Sequence, residues 1–188
     1  MNRMPYPAAE TIPSDVQALL DARPPRNVFR MMAHSPALMP GIMELTGAVL
    51  YRARLDPVLR ELVILRVGHL CGSSYEVGQH RKIAQAIGLS PAKIDGTALD
   101  ADPALYADNE LLVLRLAEQV VRKVKADDEL FSAVTAALGH ELTMELLVVI
   151  GLYVMLAQIL ENTEVELEDG GGPSQQDVQE IFGNQGRK

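Results

Sequence analysis

The sequence predicts an all-α protein, and three observations carry that prediction. Apolar residues make up 48% of the 188 residues but aromatic residues only 4%, so leucine, alanine, valine, isoleucine and methionine must fill the core. These side chains favour packed helices over a β-sandwich. Apolar residues recur at three- and four-residue steps, and no stretch alternates with a period of two between turn residues.

The first part of the chain, residues 1–26, is predicted to be an N-terminal arm that carries one short helix. Prolines near the start favour an extended chain, Ser14 is expected to cap the helix, and Pro24 with the proline after it ends it. Asn27 is expected to cap the next helix. A later helix contains Pro40, which should kink or split it.

A helix pair in the middle of the chain has the clearest signals. Asp56 stands at an N-cap position and Pro57 fits the first turn of the helix that follows. Gly72 provides a turn, Ser73 or the serine after it can cap the second helix, and Gly88 terminates that helix. A second pair begins at about residue 110.

The second pair and its surroundings set the domain boundaries. Gly139 should end one helix, and the last and longest helix contains a fifteen-residue apolar run, Leu146–Leu160. That run is short for a membrane span and fits a helix buried in a core or a subunit interface. The body is therefore predicted as residues 27–163. Residues 164–188 read as a flexible acidic and glycine-rich tail, with a short docking helix predicted over 176–182.

Composition restricts the partners and the compartment. A formal charge of −8 argues against nucleic acid or an anionic membrane as the main partner. A single cysteine excludes an internal disulfide and an all-cysteine metal site. The first residues contain no apolar stretch typical of a secretory signal, so a cytoplasmic protein is expected.

The stretch "RELVILRVGHLCGSSYEVGQH", residues 60–80, concentrates the polar and titratable side chains. Glu76 and His80 are four residues apart on one predicted helix, an arrangement that suits general acid–base work or forms an ordinary exposed pair. Glu61, among apolar neighbours, needs a partner, which is either His80 across the helix pair or an arginine. Cys71 is either a reactive thiol or a small buried apolar side chain.

This stretch resembles the carboxymuconolactone decarboxylase and alkylhydroperoxidase D-like superfamily, and the resemblance extends over about residues 27–162. The peroxidase branch has a glutamate, a Cys-x-x-Cys pair and a histidine. With Glu61 and His80 in register, Ser73 and Glu76 stand where the two thiols would be. The chain instead shows the Tyr-Glu-x-x-x-His form of the other members.

The resemblance implies an orthogonal helical bundle and an acid–base enzyme, a decarboxylase or isomerase of a small carboxylic acid or lactone from aromatic catabolism. His80 would donate or relay the proton, and Glu61 and Glu76 would tune and orient it. Tyr75 and Ser73 would hold the substrate, although the first could simply pack and the second simply cap. No metal or organic cofactor is required by this scheme.

Two alternatives remain open at this point, a peroxidase-like protein that uses Cys71 alone and a non-catalytic binding or assembly protein on the same fold. A dithiol peroxidase is not expected, because a serine and a glutamate cannot cycle through a disulfide. The resemblance also implies a homo-oligomer, a trimer or hexamer. The small-molecule substrate and the direction of the reaction are left open.

Overall fold

Helices account for all the regular structure in the described part of the chain. A computed structural model describes residues 2–22, 24–98 and 103–168. The α-helices are α1 (Ser14–Asp21), α2 (Asn27–Met32), α3 (Met39–Tyr51), α4 (Pro57–Cys71), α5 (Ser74–Ala86), α6 (Pro91–Asp95), α7 (Asp108–Lys123) and α8 (Asp128–Thr163). Short 3-10 turns lie at Ala9–Thr11 and Pro103–Leu105. The all-α prediction is confirmed.

Helix α4 forms the centre of the bundle. It packs against α5, α7 and α8, and α7 packs in turn against α8. Every residue from Arg60 to Gly68 is buried. A helix that is covered on all sides has no single apolar face, and the buried residues of α4 include the charged Arg60, Glu61 and Arg66 beside the apolar ones. This placement carries Glu61 into the interior of the protein.

Helix boundaries around the central pair follow the predicted signals. The Asp56 side chain accepts hydrogen bonds from two backbone amides in the first turn of α4. Gly72 adopts φ 70° after the last turn of α4, a left-handed conformation that glycine reaches without steric cost. Gly88 at φ 92° follows α5. Gly139 at φ 77° interrupts the helical dihedral angles of α8, so the predicted break occurs there.

Three predicted caps and one predicted kink are wrong in detail. Ser14 and Asn27 are the first residues of their helices, and no side chain caps either helix. The Asn27 side-chain amide instead donates to the backbone oxygen of Glu166 (3.0 Å). Ser73 stands at the N-cap of α5 without a side-chain hydrogen bond. Pro40 lies in the first turn of α3, where no amide partner is lost, so it begins the helix and does not bend it.

The chain after α8 continues across the body over its first few residues. Glu164 is left-handed (φ 52°), and Val165 is buried in the main core. The next residues lie along α5 and reach the start of α2. The rest of the predicted flexible tail, with the predicted docking helix over 176–182, lies outside the described residues.

Helix α8 is long and apolar enough to cross a membrane on length and composition alone. Its most apolar window has a mean hydropathy of 2.0, and 44% of that window is buried inside the protein. The core helix of a soluble protein meets the same criterion, so this is weak evidence for a membrane span. The predicted cytoplasmic location stays a prediction.

Candidate active site

Glu61 and His80 meet in the interior between α4 and α5. The Nδ1 atom of His80 lies 2.7 Å from Oε2 of Glu61, although nineteen residues separate them in the chain. Glu61 is fully buried and His80 is 7% exposed. Because an ionised carboxylate only accepts hydrogen bonds, Nδ1 carries the hydrogen and Nε2 becomes the nitrogen directed to other partners. The predicted hydrogen bond across the helix pair is confirmed.

Arg60 is the second partner of the same carboxylate. Its Nε donates to Oε1 of Glu61 (3.1 Å), and its Nη1 donates to the backbone oxygen of Leu50 (3.2 Å) at the end of α3. Both predicted partners of Glu61, a histidine and an arginine, are therefore present at the same time. Each partner contacts a different oxygen of the Glu61 carboxylate.

The environment of Glu61 keeps the carboxylate ionised. Burial raises the pKa of Glu61, but the charge and hydrogen bond of His80, with those of Arg60, outweigh burial and hold the pKa below its ordinary value. An ionised Glu61 stabilises positive charge on the imidazole ring that it contacts. The pair is thus arranged to accept and release a proton at Nε2 of His80.

Glu76 differs from the prediction, because Glu61 and not Glu76 holds His80. Glu76 is 3% exposed, and neither of its carboxylate oxygens hydrogen-bonds to a described residue. Burial, with the nearby charge of Glu161, raises the pKa of Glu76 to about 8. At neutral pH this side chain is mostly a neutral carboxylic acid that can donate a hydrogen bond. It cannot tune His80 as an ionised neighbour in that state.

Tyr153 on α8 completes the surroundings of His80, and the sequence interpretation missed it. The two rings meet edge to face, with centroids 4.9 Å apart and planes at 85°. Burial, then the charges of Glu61 and Glu76, raise the pKa of Tyr153 well above its ordinary value, so its hydroxyl stays protonated. Tyr153 is the one aromatic residue in the apolar run of α8. Its place in that run was the only feature of the sequence that could have indicated a role for Tyr153.

The predicted substrate-holding residues lie in different settings. Ser73 is fully buried, and its hydroxyl makes no hydrogen bond to a described residue. The Tyr75 hydroxyl instead donates to Oε1 of Glu168 (2.6 Å) and accepts a long hydrogen bond from the backbone N–H of Val28 (3.4 Å). Gln79 also donates to Glu168. The sequence interpretation missed both Gln79 and Glu168.

Cys71 is the last residue of α4 and is partly buried. Burial raises the pKa of its thiol, and the charges of Glu76 and Glu161 raise it further. A thiolate is the reactive form of cysteine, so this setting lowers the reactivity of Cys71 at neutral pH.

The described residues form no metal-ligand cluster, and one cavity lies away from the predicted site residues. Within residues 2–22, 24–98 and 103–168, no three histidine, cysteine, aspartate or glutamate side chains gather as metal ligands would. A cavity of about 290 Å³ lies between the N-terminal arm, α1 and α2, with Phe29 and Met43 in its wall. None of the predicted site residues lines that cavity.

One protein family matches part of the chain. Residues 36–119 match the carboxymuconolactone decarboxylase family, and no curated protein sequence matches the chain. The matched range contains Glu61, Ser73, Glu76 and His80.

Solved structures share the fold. The alkylhydroperoxidase D core of an uncharacterised peroxidase-related protein from Ralstonia eutropha JMP134 has a TM-score of 0.75 at 19% identity, with 90% of this chain and 93% of that chain covered. A peroxidase-related protein from Silicibacter sp. TM1040 has a TM-score of 0.74 at 12% identity, with 88% and 91% covered. A protein of unknown function from Agrobacterium tumefaciens, suggested to be an antioxidant defence protein, has a TM-score of 0.67 at 22% identity, with 72% and 94% covered. The family match over residues 36–119 supports the resemblance of the chain to the carboxymuconolactone decarboxylase and alkylhydroperoxidase D-like superfamily, and the solved structures show that the chain shares the alkylhydroperoxidase D-like fold.

Proposed function

We propose that this protein is an acid–base enzyme that decarboxylates or isomerises a small carboxylic acid or lactone. The observation that carries the proposal is the buried hydrogen bond between Glu61 and His80, with Arg60 on the second carboxylate oxygen. A carboxylate that orients an imidazole and stabilises its protonated form is the arrangement that general acid–base catalysis needs. The resemblance of the chain to carboxymuconolactone decarboxylases supplies the substrate class.

The chemistry divides between His80 and Glu76. In a decarboxylation the bond between the carboxylate carbon and its neighbour breaks, CO₂ leaves, and the electron pair stays as an enolate-like carbanion. Protonated His80 gives its Nε2 proton to that carbon, and Glu61 stabilises the imidazolium before the transfer. The neutral carboxylic acid of Glu76 donates a hydrogen bond to the oxygen on which charge develops. An isomerisation uses the same groups, with His80 removing and returning a proton.

A peroxidase that uses Cys71 alone is the second candidate, because solved structures of this fold bear peroxidase-related names. Ser73 and Glu76 stand where a thiol pair would be, so any peroxide chemistry falls to Cys71. Its raised pKa opposes formation of the thiolate that would attack the O–O bond. The acid–base function therefore has the stronger support from this chain's own residues.

We also propose that the protein is a cytoplasmic homo-oligomer. Helix α8 leaves apolar side chains on its outer surface, with Met144 62% exposed and Val148 38% exposed one turn later. These two residues share a helix face. A second copy of the chain would bury that face, and the resemblance to the superfamily favours a trimer or hexamer.

The test of the catalytic proposal measures CO₂ release and solvent-deuterium incorporation from a panel of carboxylated γ-lactones. The wild-type protein should turn over at least one member, and His80→Gln should lower kcat by about 100-fold or more. Cys71→Ser is the matched control and should retain activity.

Each remaining outcome identifies one alternative. Peroxide consumption with a thiol reductant that disappears in Cys71→Ser would replace the acid–base function with the single-cysteine peroxidase. Absence of both activities, together with unchanged properties of His80→Gln, would favour a non-catalytic binding protein.

A further inference from the structure

We propose that α5 and the start of α2 form a binding subsite for a small carboxylate, which the chain's own Glu168 fills in this structure. Tyr75, Gln79 and the backbone amide of Asn27 are its hydrogen-bond donors, and a carboxylate ligand from solution competes with Glu168 for them. The effect of this subsite on turnover rests on the proposed function, but ligand binding to it does not.

Donors converge on the Glu168 carboxylate from two helices. The Tyr75 hydroxyl and the Asn27 N–H both donate to Oε1, each at 2.6 Å, and the Gln79 side-chain amide donates to Oε2. Tyr75 is 5% exposed and Gln79 is 6% exposed, so the two side chains are ordered by the core and directed at one carboxylate. Both oxygens of the carboxylate are recognised.

The electrostatics of the subsite suit an anion. All three donors are neutral, and the positive charge of Arg26 acts on the same place, because it lowers the pKa of the Tyr75 hydroxyl while burial and Glu168 raise it. Burial, with the hydrogen bond and charge of Glu168, raises the pKa of Tyr75, so its hydroxyl remains a donor throughout the ordinary pH range. A carboxylate bound by a tyrosine hydroxyl, a side-chain amide and a backbone N–H therefore meets no negative charge among its donors.

The subsite adjoins the acid–base residues along α5. Tyr75 immediately precedes Glu76, and Gln79 immediately precedes His80. Positions 75 and 79 share one helix face, and positions 76 and 80 share the next face, about 100° around the helix. A small acid with its carboxylate at Tyr75 and Gln79 is therefore anchored on the same turn of α5 that carries the proposed proton donor.

Glu168 reaches the subsite on a short non-helical segment, residues 165–168, which we call the C-terminal strap. Val165 is buried, Leu167 packs against Gly78, and the Glu166 backbone oxygen accepts from Asn27. The strap follows Glu164, which holds a left-handed conformation that is costly for a residue with a side chain. No disulfide or long helix fixes the described strap. A ligand that displaces it must break these contacts, the hydrogen bond from the Val165 N–H to the Leu160 backbone oxygen, and the hydrogen bonds to Glu168.

Competition by the strap has a measurable size. A ligand that binds only when the strap is released has its affinity reduced by the released fraction. If the strap fills the subsite about 90 to 99% of the time, its removal tightens carboxylate binding by about 10- to 100-fold.

The experiment titrates the full-length protein with sodium benzoate by isothermal calorimetry and by NMR. Glu168→Ala should bind benzoate at least tenfold more tightly than wild type, and Tyr75→Phe added to it should remove most of that gain. Glu164→Gln removes the same charge just before the strap and should bind as wild type does. Benzamide, a neutral analogue, should show no gain in Glu168→Ala.

Two results would overturn the subsite. One is equal benzoate affinity of Glu168→Ala and wild type, with both proteins folded by their thermal melting. The other is a gain that survives Tyr75→Phe or that appears equally in Glu164→Gln. Glu168→Gln, which preserves the side-chain volume, repeats the test if the alanine variant does not fold. If the proposed function alone is wrong, wild type and His80→Gln will both fail to turn over the panel of substrates. The benzoate result will still hold in that case.

Discussion

The imidazole of His80 contacts the carboxylate of Glu61 at 2.7 Å inside a helix pair where neither side chain is more than a tenth exposed. Arg60, also fully buried, holds the other oxygen of the carboxylate. Buried charges of this kind are costly unless they are paired. The three side chains therefore form one electrostatic unit, whose parts cannot be removed independently.

Glu61→Gln should destabilise the protein strongly. It removes the only negative charge of the Arg60–Glu61–His80 unit, and loss of one partner of a buried ion pair costs about 3–5 kcal/mol. Chemical denaturation at pH 7 measures this change in the free energy of unfolding. Glu44→Gln, which breaks the exposed pair of Glu44 with Arg52, is the control and should cost less than about 1 kcal/mol. Equal losses in the two variants would contradict the coupling.

Glu61→Gln should also change the tautomer of the His80 ring. The carboxylate requires a hydrogen on Nδ1, whereas a glutamine amide can either donate to or accept from that nitrogen. The measurement is ¹⁵N NMR of the His80 ring nitrogens in wild type and variant, at a pH where the ring is neutral. A wild-type ring with its hydrogen on Nε2 would contradict the proposed direction of proton transfer.

Glu76→Gln should stabilise the protein increasingly as the pH rises. Burial raises the pKa of Glu76 to about 8, so between pH 4.5 and 8 the folded protein binds a proton that the unfolded chain releases. Stability of wild type relative to the variant therefore falls with pH, by about 1.4 kcal/mol per pH unit at most, and levels off above pH 8. Denaturation of both proteins from pH 5 to 9 measures the difference. A constant difference would mean that Glu76 is ionised throughout.

Cys71 should react slowly with a disulfide reagent such as 5,5′-dithiobis(2-nitrobenzoate) at pH 7. Its raised pKa lowers the thiolate fraction below that of free cysteine, and partial burial limits access. Because Cys71 is the only cysteine of the chain, the signal belongs to it alone. A reaction faster than that of free cysteine would support the peroxidase function instead.

Met144→Glu with Val148→Glu should dissociate the proposed oligomer. Two charges on the exposed apolar face of α8 cannot be buried against a second copy without a large desolvation cost. Light scattering after size-exclusion chromatography measures the mass of wild type and variant. Val124→Glu places one charge at another exposed apolar residue, outside α8, and should leave the mass unchanged. A wild-type monomer would contradict the proposal.

Local signals in the sequence were enough for the helices of the central pair. Asp56, Gly72 and Gly139 act through their own backbone or the first turn of the next helix, so their effects could be inferred from the residue types alone. The weaker caps at Ser14 and Asn27 were wrong by one position. At the start of α2 the Asn27 side chain bonds to the backbone of residue 166, which no local rule anticipates.

The sequence by itself determined the all-α class, the helix pair, and the spacing that aligns Glu61 with His80. Only the tertiary structure decided which acid holds the histidine, because helical spacing favoured Glu76 and the packing of α4 on α5 selected Glu61. It also brought Tyr153 and Glu168 to α5 from positions far along the chain. The physical reason is that pKa values and hydrogen-bond partners depend on burial and on neighbours in space, whereas spacing reports only neighbours on the same helix.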